Sequence, residues 1–503
     1  MGNEYILSMP LILIFIFSVT VLLIDAIWHS KKAVYYLSVL SLLAVLAASV
    51  NTMFASPELI NDAINKAVNS NELIISNISS MITWGGYAGF LDTVFCIAGI
   101  LTLLASRSYI KREYNEYNEY YALVLFAVSG MMFIGHAANL LLLFIGIEIM
   151  SISFYVLAGY FRKRTKSVEA AFKYFLLGSF ATGFLLYGIA MIYGASGSLS
   201  LPGIHEKIAA GAGFNPLYLN IGLGLLIIGL SFKVAAFPFH QWAPDVYHGS
   251  PTVVSGFMSA AGKAAAIIAF VIIGKHLIVI APEGSQSAVS SKTAQMIIAL
   301  ISAATMLIGN ITALVQKNVK RMLSYSSVAH AGYLLMGIVA VNATGMNGIL
   351  FYAAAYMFMQ TGAFIVVSVL ERNDERYLEN NDYAGLYKSY PLLSGVMAMF
   401  MFSLAGIPPF AGFFGKYYLF AGAIEAGFTW LTIIAVISSI ISMYFYIGLI
   451  IQMYFKEAAA PVPGENLELK CGGSKYALAI SAFAILLFGI LPSLITNITE
   501  KFF

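Results

Sequence analysis

The chain has 503 residues, 60% apolar and only 10% charged, with a mean hydropathy of +0.84 and a formal net charge of +3. No soluble globular domain carries that balance, and nothing in it points to a nucleic-acid partner. Two isolated cysteines, Cys96 and Cys471, allow neither a disulfide framework nor a cysteine-based metal or iron–sulfur site.

Apolar runs of about 20 residues recur along the whole length, the signature of an all-α polytopic membrane protein. The spacing predicts about fourteen transmembrane helices, at roughly 5–27, 34–55, 86–106, 120–136, 138–160, 168–194, 217–238, 251–274, 293–315, 322–341, 347–370, 390–421, 428–455 and 476–497. The first run has no basic stretch before it and reads as a retained span, not a cleaved signal. The longest links, near 56–85 and 195–216, are rich in Asn, Ser and Gly and read as surface loops.

Basic residues set the orientation. One set of alternate loops holds 18 of the 27 lysines and arginines, among them Lys31, Arg107, Arg162, Lys317, Arg372 and Lys456. The opposite set holds five: Lys66, Lys207, Lys275, Lys292 and Lys501. This asymmetry puts both termini outside the cytoplasm. The four that remain, Lys173, Lys233, Lys263 and Lys416, fall inside spans. A lysine at bilayer depth costs about 2.5–3.5 kcal/mol on insertion scales, so each one left there asks for a function.

Two spans are interrupted by proline. The seventh breaks at Phe237-Pro238 beside Lys233, and the twelfth at Gly406-Ile407-Pro408-Pro409 just before Lys416. Breaks at corresponding places in two halves predict two inverted five-helix repeats around a midplane site. The expected organisation is 1–137 for helices 1–3 and most of helix 4, 120–274 for the first repeat, 293–455 for the second, and 456–503 for a loop and helix 14.

Glu148 is the one acid well inside the spans of the first repeat. Ser151 and Tyr155 follow at i+3 and i+7 on its face. It reads either as a polar patch against a neighbouring helix or as the partner of a buried lysine. Lys173 lies one turn after Glu169, which suits an ordinary helix ion pair, and its side chain is long enough to snorkel. Lys263 has Ser259 and Ser255 at i−4 and i−8, a hydroxylated stripe suited to water. In the second half Ser326 and His330 share one face, as do Tyr352, Tyr356 and Gln360. Asp245 and His248 read as link or cap residues, and Asp25 and Asp92 carry no assigned role. There is no P-loop, dinucleotide fingerprint, haem or flavin motif, so the sequence offers no means of hydrolysing ATP or passing electrons.

Five segments carry a resemblance: LLLFIGIEIMSISFYVLAGY, SVEAAFKYFLLGSFATGFLLYG, SFKVAAFPFHQWAPDVYHGSPTVVSGFMSAAGKAA, QKNVKRMLSYSSVAHAGYLLMG and FSLAGIPPFAGFFGKYYLF. Together they resemble the antiporter-like membrane subunits of respiratory complex I, and the APDVYHGSPTVV link followed by SAAGKAA resembles the N type. Lys416, where the M type usually has a glutamate, fits the N or L type, and the chain lacks the long lateral helix of the L type. The resemblance implies a site for proton translocation. Its members are Glu148 paired with Lys233, the central Lys263 and the terminal Lys416, with Lys173 and His330 as polar positions on the same hydrated axis. It also implies a subunit of a proton-translocating NADH:quinone oxidoreductase in the bacterial inner membrane. NADH, FMN, iron–sulfur clusters and quinone would be handled by partner subunits. Those partners would be the M-, K-, J-, A-, H- and L-type membrane subunits and the peripheral arm. The alternatives are a Mrp-type cation/proton antiporter subunit and the equivalent subunit of a ferredoxin- or hydrogenase-linked complex. The N-type link speaks against the first; copurifying partners discriminate the second.

Overall fold

The structure, a computed structural model, describes residues 3–28, 30–55, 81–113, 117–211, 213–278, 286–371, 377–457 and 472–502. The expected spans are there. They are α1 (Asn3–Trp28), α2 (Lys31–Met53), α3 (Gly86–Arg112), α4 (Glu119–Gly135), α5 (Leu140–Ala158), α6 (Thr165–Ser196), α7 (Pro216–Lys233) and α8 (Thr252–Ile278). There follow α9 (Gln286–Leu314), α10 (Val319–Ala340), α11 (Ala343–Leu370), α12 in two pieces (Pro391–Ala405 and Ala411–Glu425), α13 (Thr429–Phe455) and α14 (Gly472–Ile490). Twelve are long and apolar enough to cross a membrane; α4 and the pieces of α12 are shorter. Among the described residues extended pairing is limited to isolated bridges.

Two expectations need correction. The link 195–216 is not all loop: Ser200 caps a ten-residue helix, Leu201–Ala210. The polar link after α7 is also helical, from Trp242 to Gly249. The 56–80 part of the other long link, with Lys66, lies outside the described residues, as do Arg372, Arg376, Lys470 and Cys471.

Apolar residues on every side of a helix mean burial on every side, and α8 is accordingly buried from Thr252 to Gly274. Helices α10 and α11 are nearly as enclosed, whereas α6 and α13 leave apolar faces open, including Phe172, Phe180, Ile440 and Tyr444. Apolar outer faces are what a hydrocarbon solvent requires.

The second five-helix run repeats the first in order. Helix α5 starts at Asn139, whose side chain accepts from the Leu141 amide; α10 starts at Asn318, which accepts from the Arg321 amide. Each asparagine also forms a β-bridge at the same chain distance, Asn139 with Ser200 and Asn318 with Glu379. Corresponding helices lie five spans apart. An odd number of crossings reverses direction, so the two runs are inverted relative to each other.

Both breaks are satisfied by protein, as buried backbone demands. After Lys233 the chain turns through Ala235, with φ +57°, and the Ala236 amide donates to the Ser231 carbonyl. Trp242 Nε1 donates to the Phe232 carbonyl and the Phe237 amide donates to Thr305 Oγ1. In α12, Gly406 at φ +85° lets its own amide and that of Ile407 return to the Phe402 carbonyl. The second piece of α12 then packs so closely that a Cβ on Gly412 would lie 1.8 Å from the Ser403 oxygen.

Gly412→Ala is therefore expected to force the α12 break apart, at a cost of about 1–3 kcal/mol for overpacking. The quantity of the protein in membranes, measured by quantitative immunoblot, should fall severalfold. Gly448→Ala, whose added methyl would meet nothing within 4 Å, is the control and should leave it unchanged.

Candidate proton-transfer site

Because Lys233 is the last residue of α7, its side chain emerges where the helix stops. It is buried. Its Nζ donates to Ser151 Oγ at 2.8 Å and Tyr155 OH at 3.4 Å, and it lies 3.8 Å from Glu148 Oε1. These are the three residues that helix periodicity puts on one face of α5. The carboxylate is in ion-pair range without touching the ammonium. The same Oε1 accepts from Thr182 Oγ1 on α6 at 2.8 Å, and the Glu148 side chain keeps 24% of its exposure.

Lys263 sits at the middle of α8, directly after a π-helical turn, Met258–Gly262. A π turn inserts an extra residue and rotates the next stretch of helix about its axis. Neither serine expected beside Lys263 is hydrogen-bonded to it: Ser255 Oγ donates to the Tyr247 carbonyl, and Ser259 Oγ donates to the Gly256 carbonyl and accepts from Gln360 Nε2. The partner of Lys263 lies across on α10, where Ser327 accepts through both its carbonyl and its Oγ.

Lys416 reaches back over the α12 break. Its Nζ donates to the Ala405 carbonyl at 3.0 Å and to Ser439 Oγ at 2.9 Å, and stands 4.9 Å from the centre of the Tyr333 ring. The break thus supplies a carbonyl that an unbroken helix would have used itself. Among the described residues no carboxylate pairs with Lys263 or Lys416. His330 is buried between these two lysines' helices, with a tyrosine hydroxyl on each ring nitrogen: Tyr352 OH on Nδ1 and Tyr446 OH on Nε2.

Lys173 is not brought into this buried set. Its side chain is 40% exposed and contacts Glu169 at 2.7 Å and Asp245 at 2.9 Å; Asp245 also accepts from Arg321 Nη1 at 2.9 Å. That ladder ties α6, the Trp242–Gly249 helix and α10 together at the bundle end bearing the basic loops. Asp245 is thus an interhelix tie, beyond the link role its sequence suggested.

Sequence reasoning missed several buried polar groups. Asp92 Oδ2 lies 2.8 Å from His136 Nε2, and His136 Nδ1 is 2.7 Å from the Thr83 carbonyl. The half-buried Asp25 accepts from the buried Asn118 Nδ2. Glu371, at the end of α11, accepts from Tyr109 OH and Thr252 Oγ1, and Arg164 lies beside both Glu371 and Glu113. Lys320 counts as a loop residue by sequence, yet it is buried and donates to the Ser250 carbonyl. The only advance signal for these was a charged or polar residue near a span end, with nothing to identify its partner.

Residues 137–442 match the family described as NADH:quinone oxidoreductase/Mrp antiporter, TM. NADH-quinone oxidoreductase subunit N 1 of Chloroherpeton thalassium is 47% identical over 423 residues, 84% of this chain and 86% of that protein. NADH-quinone oxidoreductase subunit N of Trichlorobacter lovleyi is 41% identical over 493 residues, 98% of this chain and 96% of that protein. In the structure of respiratory complex I from Thermus thermophilus with bound aureothin, one chain superposes with a TM-score of 0.75 at 31% identity. The match covers 97% of this chain and 98% of that one. The fold, the two broken helices and these likenesses agree, and the chain belongs to the NADH:quinone oxidoreductase/Mrp antiporter membrane family, within its NADH-quinone oxidoreductase subunit N branch.

Proposed function

We propose that the chain is the N-type membrane-arm subunit of a bacterial NADH:quinone oxidoreductase and moves protons across the membrane. The drive is electron transfer from NADH to quinone in partner subunits. The observation that carries this reading is the row of three buried lysines, Lys233, Lys263 and Lys416, two of them at helix breaks. One has a carboxylate within reach and the others have only neutral acceptors. FMN, the iron–sulfur clusters and the quinone chemistry belong to other subunits, and none of them is assigned to this chain. Its neighbours are the M-, K-, J-, A-, H- and L-type membrane subunits, the peripheral arm and the bilayer that covers the open faces of α6 and α13. The basic-loop asymmetry supports both termini outside the cytoplasm of the inner membrane. The cap-and-bridge correspondence supports 120–274 and 293–455 as the repeat units.

The proposed proton sites are Glu148, Lys233, Lys263, His330 and Lys416, with Lys173 at the exposed end. Desolvation favours the neutral form of an amine, and a nearby carboxylate favours its charged form. At 3.8 Å and an effective dielectric near 20, the Glu148–Lys233 attraction is on the order of 4 kcal/mol. Doubling the distance removes about 2 kcal/mol, more than a tenfold change in a proton-binding constant. Drawing Glu148 away from Lys233 would therefore weaken the hold of Lys233 on its proton.

Three outcomes test this reading. The purified chain alone should show no NADH or quinone oxidoreductase turnover; any such turnover overturns the assignment of redox chemistry to partners. Glu148→Gln should cut proton pumping by about tenfold while Glu148→Asp keeps part of it. The measurement is acidification of inverted membrane vesicles per assembled complex, and full pumping in the Gln variant reduces Glu148 to a packing role. Lys233→Arg should assemble yet pump as poorly as Lys233→Ala, because arginine keeps its proton where lysine releases it. Near-normal acidification with arginine rejects Lys233 as a group that must deprotonate.

A further inference from the structure

At the bundle end opposite the basic loops, the last turns of α8 border a cavity of about 190 Å³. Its closed end is apolar. Ile268, Val271 and Ile272 of α8 line it together with Ile349 and Leu350 of α11, and all five are buried. Its open end is polar. There α8 finishes in a π-helical turn, Gly274–Ile278, which carries Lys275 and His276, and both line the cavity. Thr83 and Tyr87, at the entry to α3, and Pro202 of the Leu201–Ala210 helix complete the rim. Lys275 and Pro202 are exposed. His205, three residues after Pro202, holds its ring 6.0 Å from that of His276, and its Nδ1 is buried without a hydrogen-bond partner among the described residues.

We propose that this cavity binds a free single-chain amphiphile with an anionic head, as in a medium-chain fatty acid. The inference stands apart from the proton-translocation reading above. Space is the first argument. An apolar cavity of about 150 Å³ admits a guest the size of benzene, and lining atoms around an empty void forfeit dispersion contacts that a guest restores. From Lys275 to Ile268 the helix runs about 10 Å at 1.5 Å per residue, which suits an alkyl chain laid along it. Charge is the second argument. No carboxylate lines the cavity among the described residues, so the Lys275 ammonium makes the rim positive and His276 adds a nitrogen beside it. An ammonium binds a carboxylate or phosphate through charge-assisted hydrogen bonds and repels a cationic head. Enclosure is the third. The α8 and α11 spans are buried almost throughout, which leaves room for one chain and not for the two of a membrane phospholipid. π turns within helices are frequent at functional sites, and this one carries the two residues that would meet the head. A seated chain would bridge α3, α8 and α11, with its tail at Ile268, five residues beyond Lys263.

The test uses the intact complex in membrane vesicles and decanoic acid bearing a photoreactive diazirine near its tail. After irradiation, mass spectrometry of the digested chain should find label at 268–272 of α8 and 346–350 of α11. Excess decanoate or decyl phosphate should displace it; decyltrimethylammonium and added phosphatidylglycerol should not. Label on the open faces of α6 and α13, where the probe dissolves in lipid, is the reference and should be displaced by none of them. Lys275→Glu reverses the charge at an exposed position and should cut the displaceable label by about tenfold, the worth of a hydrogen bond to a charged group. Lys275→Arg should keep it. Leu350→Phe narrows the closed end and should remove it; if that variant does not assemble, the exposed Lys275 pair decides the matter. Absence of displaceable label in α8 and α11 overturns the proposal, as does label unchanged by Lys275→Glu. Displacement by the cation equal to that by decanoate rejects an anionic head, and equal displacement by phosphatidylglycerol rejects a single-chain ligand.

Discussion

An ammonium group in an apolar interior must be given oxygen, and this constraint organises the molecule. Continuous helices use up their own carbonyls, so the chain has to stop a helix, import a hydroxyl or bring up a carboxylate. Lys416 is served mainly by a stopped helix, through the Ala405 carbonyl freed at the α12 break. Lys263 is served by a neighbour, through Ser327. Lys233 takes Ser151 and Tyr155 and has Glu148 in reach. The remainder of the fold encloses these arrangements. Helix α8 is enclosed on every side, and Trp242 caps the end of α7 while stacking between Tyr174 and Phe232.

The cap-and-bridge correspondence between the two halves exposes a substitution of chemistry at a fixed place. Glu148 and Ser327 stand at the same remove from their capping asparagines, 139 to 148 and 318 to 327. Both face a buried lysine, Lys233 in one half and Lys263 in the other. Ser151 and His330 correspond in the same way, as do Thr182 and Thr361 on the following helices. Thr182 donates to Glu148; Thr361, with no carboxylate opposite it, has a buried hydroxyl without a hydrogen-bond partner. One scaffold thus presents a charged site in the first half and a neutral one in the second.

This pattern also explains which parts were legible in the sequence. The spans were readable because hydrophobic runs and helical period are local properties, and the breaks because proline cannot continue a helix. The lysines stood out through the loop charges alone, and the α5 face through its spacing of three and four. Partners across a helix interface are not local. Nothing near Lys263 in the chain names Ser327, and nothing near His330 names Tyr446. Across the π turn before Lys263 periodicity gave no hydrogen-bond partner: Ser255 and Ser259 bond other groups, and Ser327 comes from another helix. Lys320 failed for the opposite reason: a basic residue at a span end was counted with the loops, yet its side chain turns inward to the Ser250 carbonyl.

The asymmetry between the halves bears on the direction of transfer. In the first half the buried Lys233 has a carboxylate nearby that is itself partly open to the surroundings. A charge arriving outside the chain next to Glu148 would change the field at Lys233 with little protein in between. In the second half the charged groups are screened from the outside by α11 and α13, and Lys416 has only neutral acceptors to hold it. A charge near the open Glu148 therefore acts on Lys233 more directly than one outside the second half acts on Lys416.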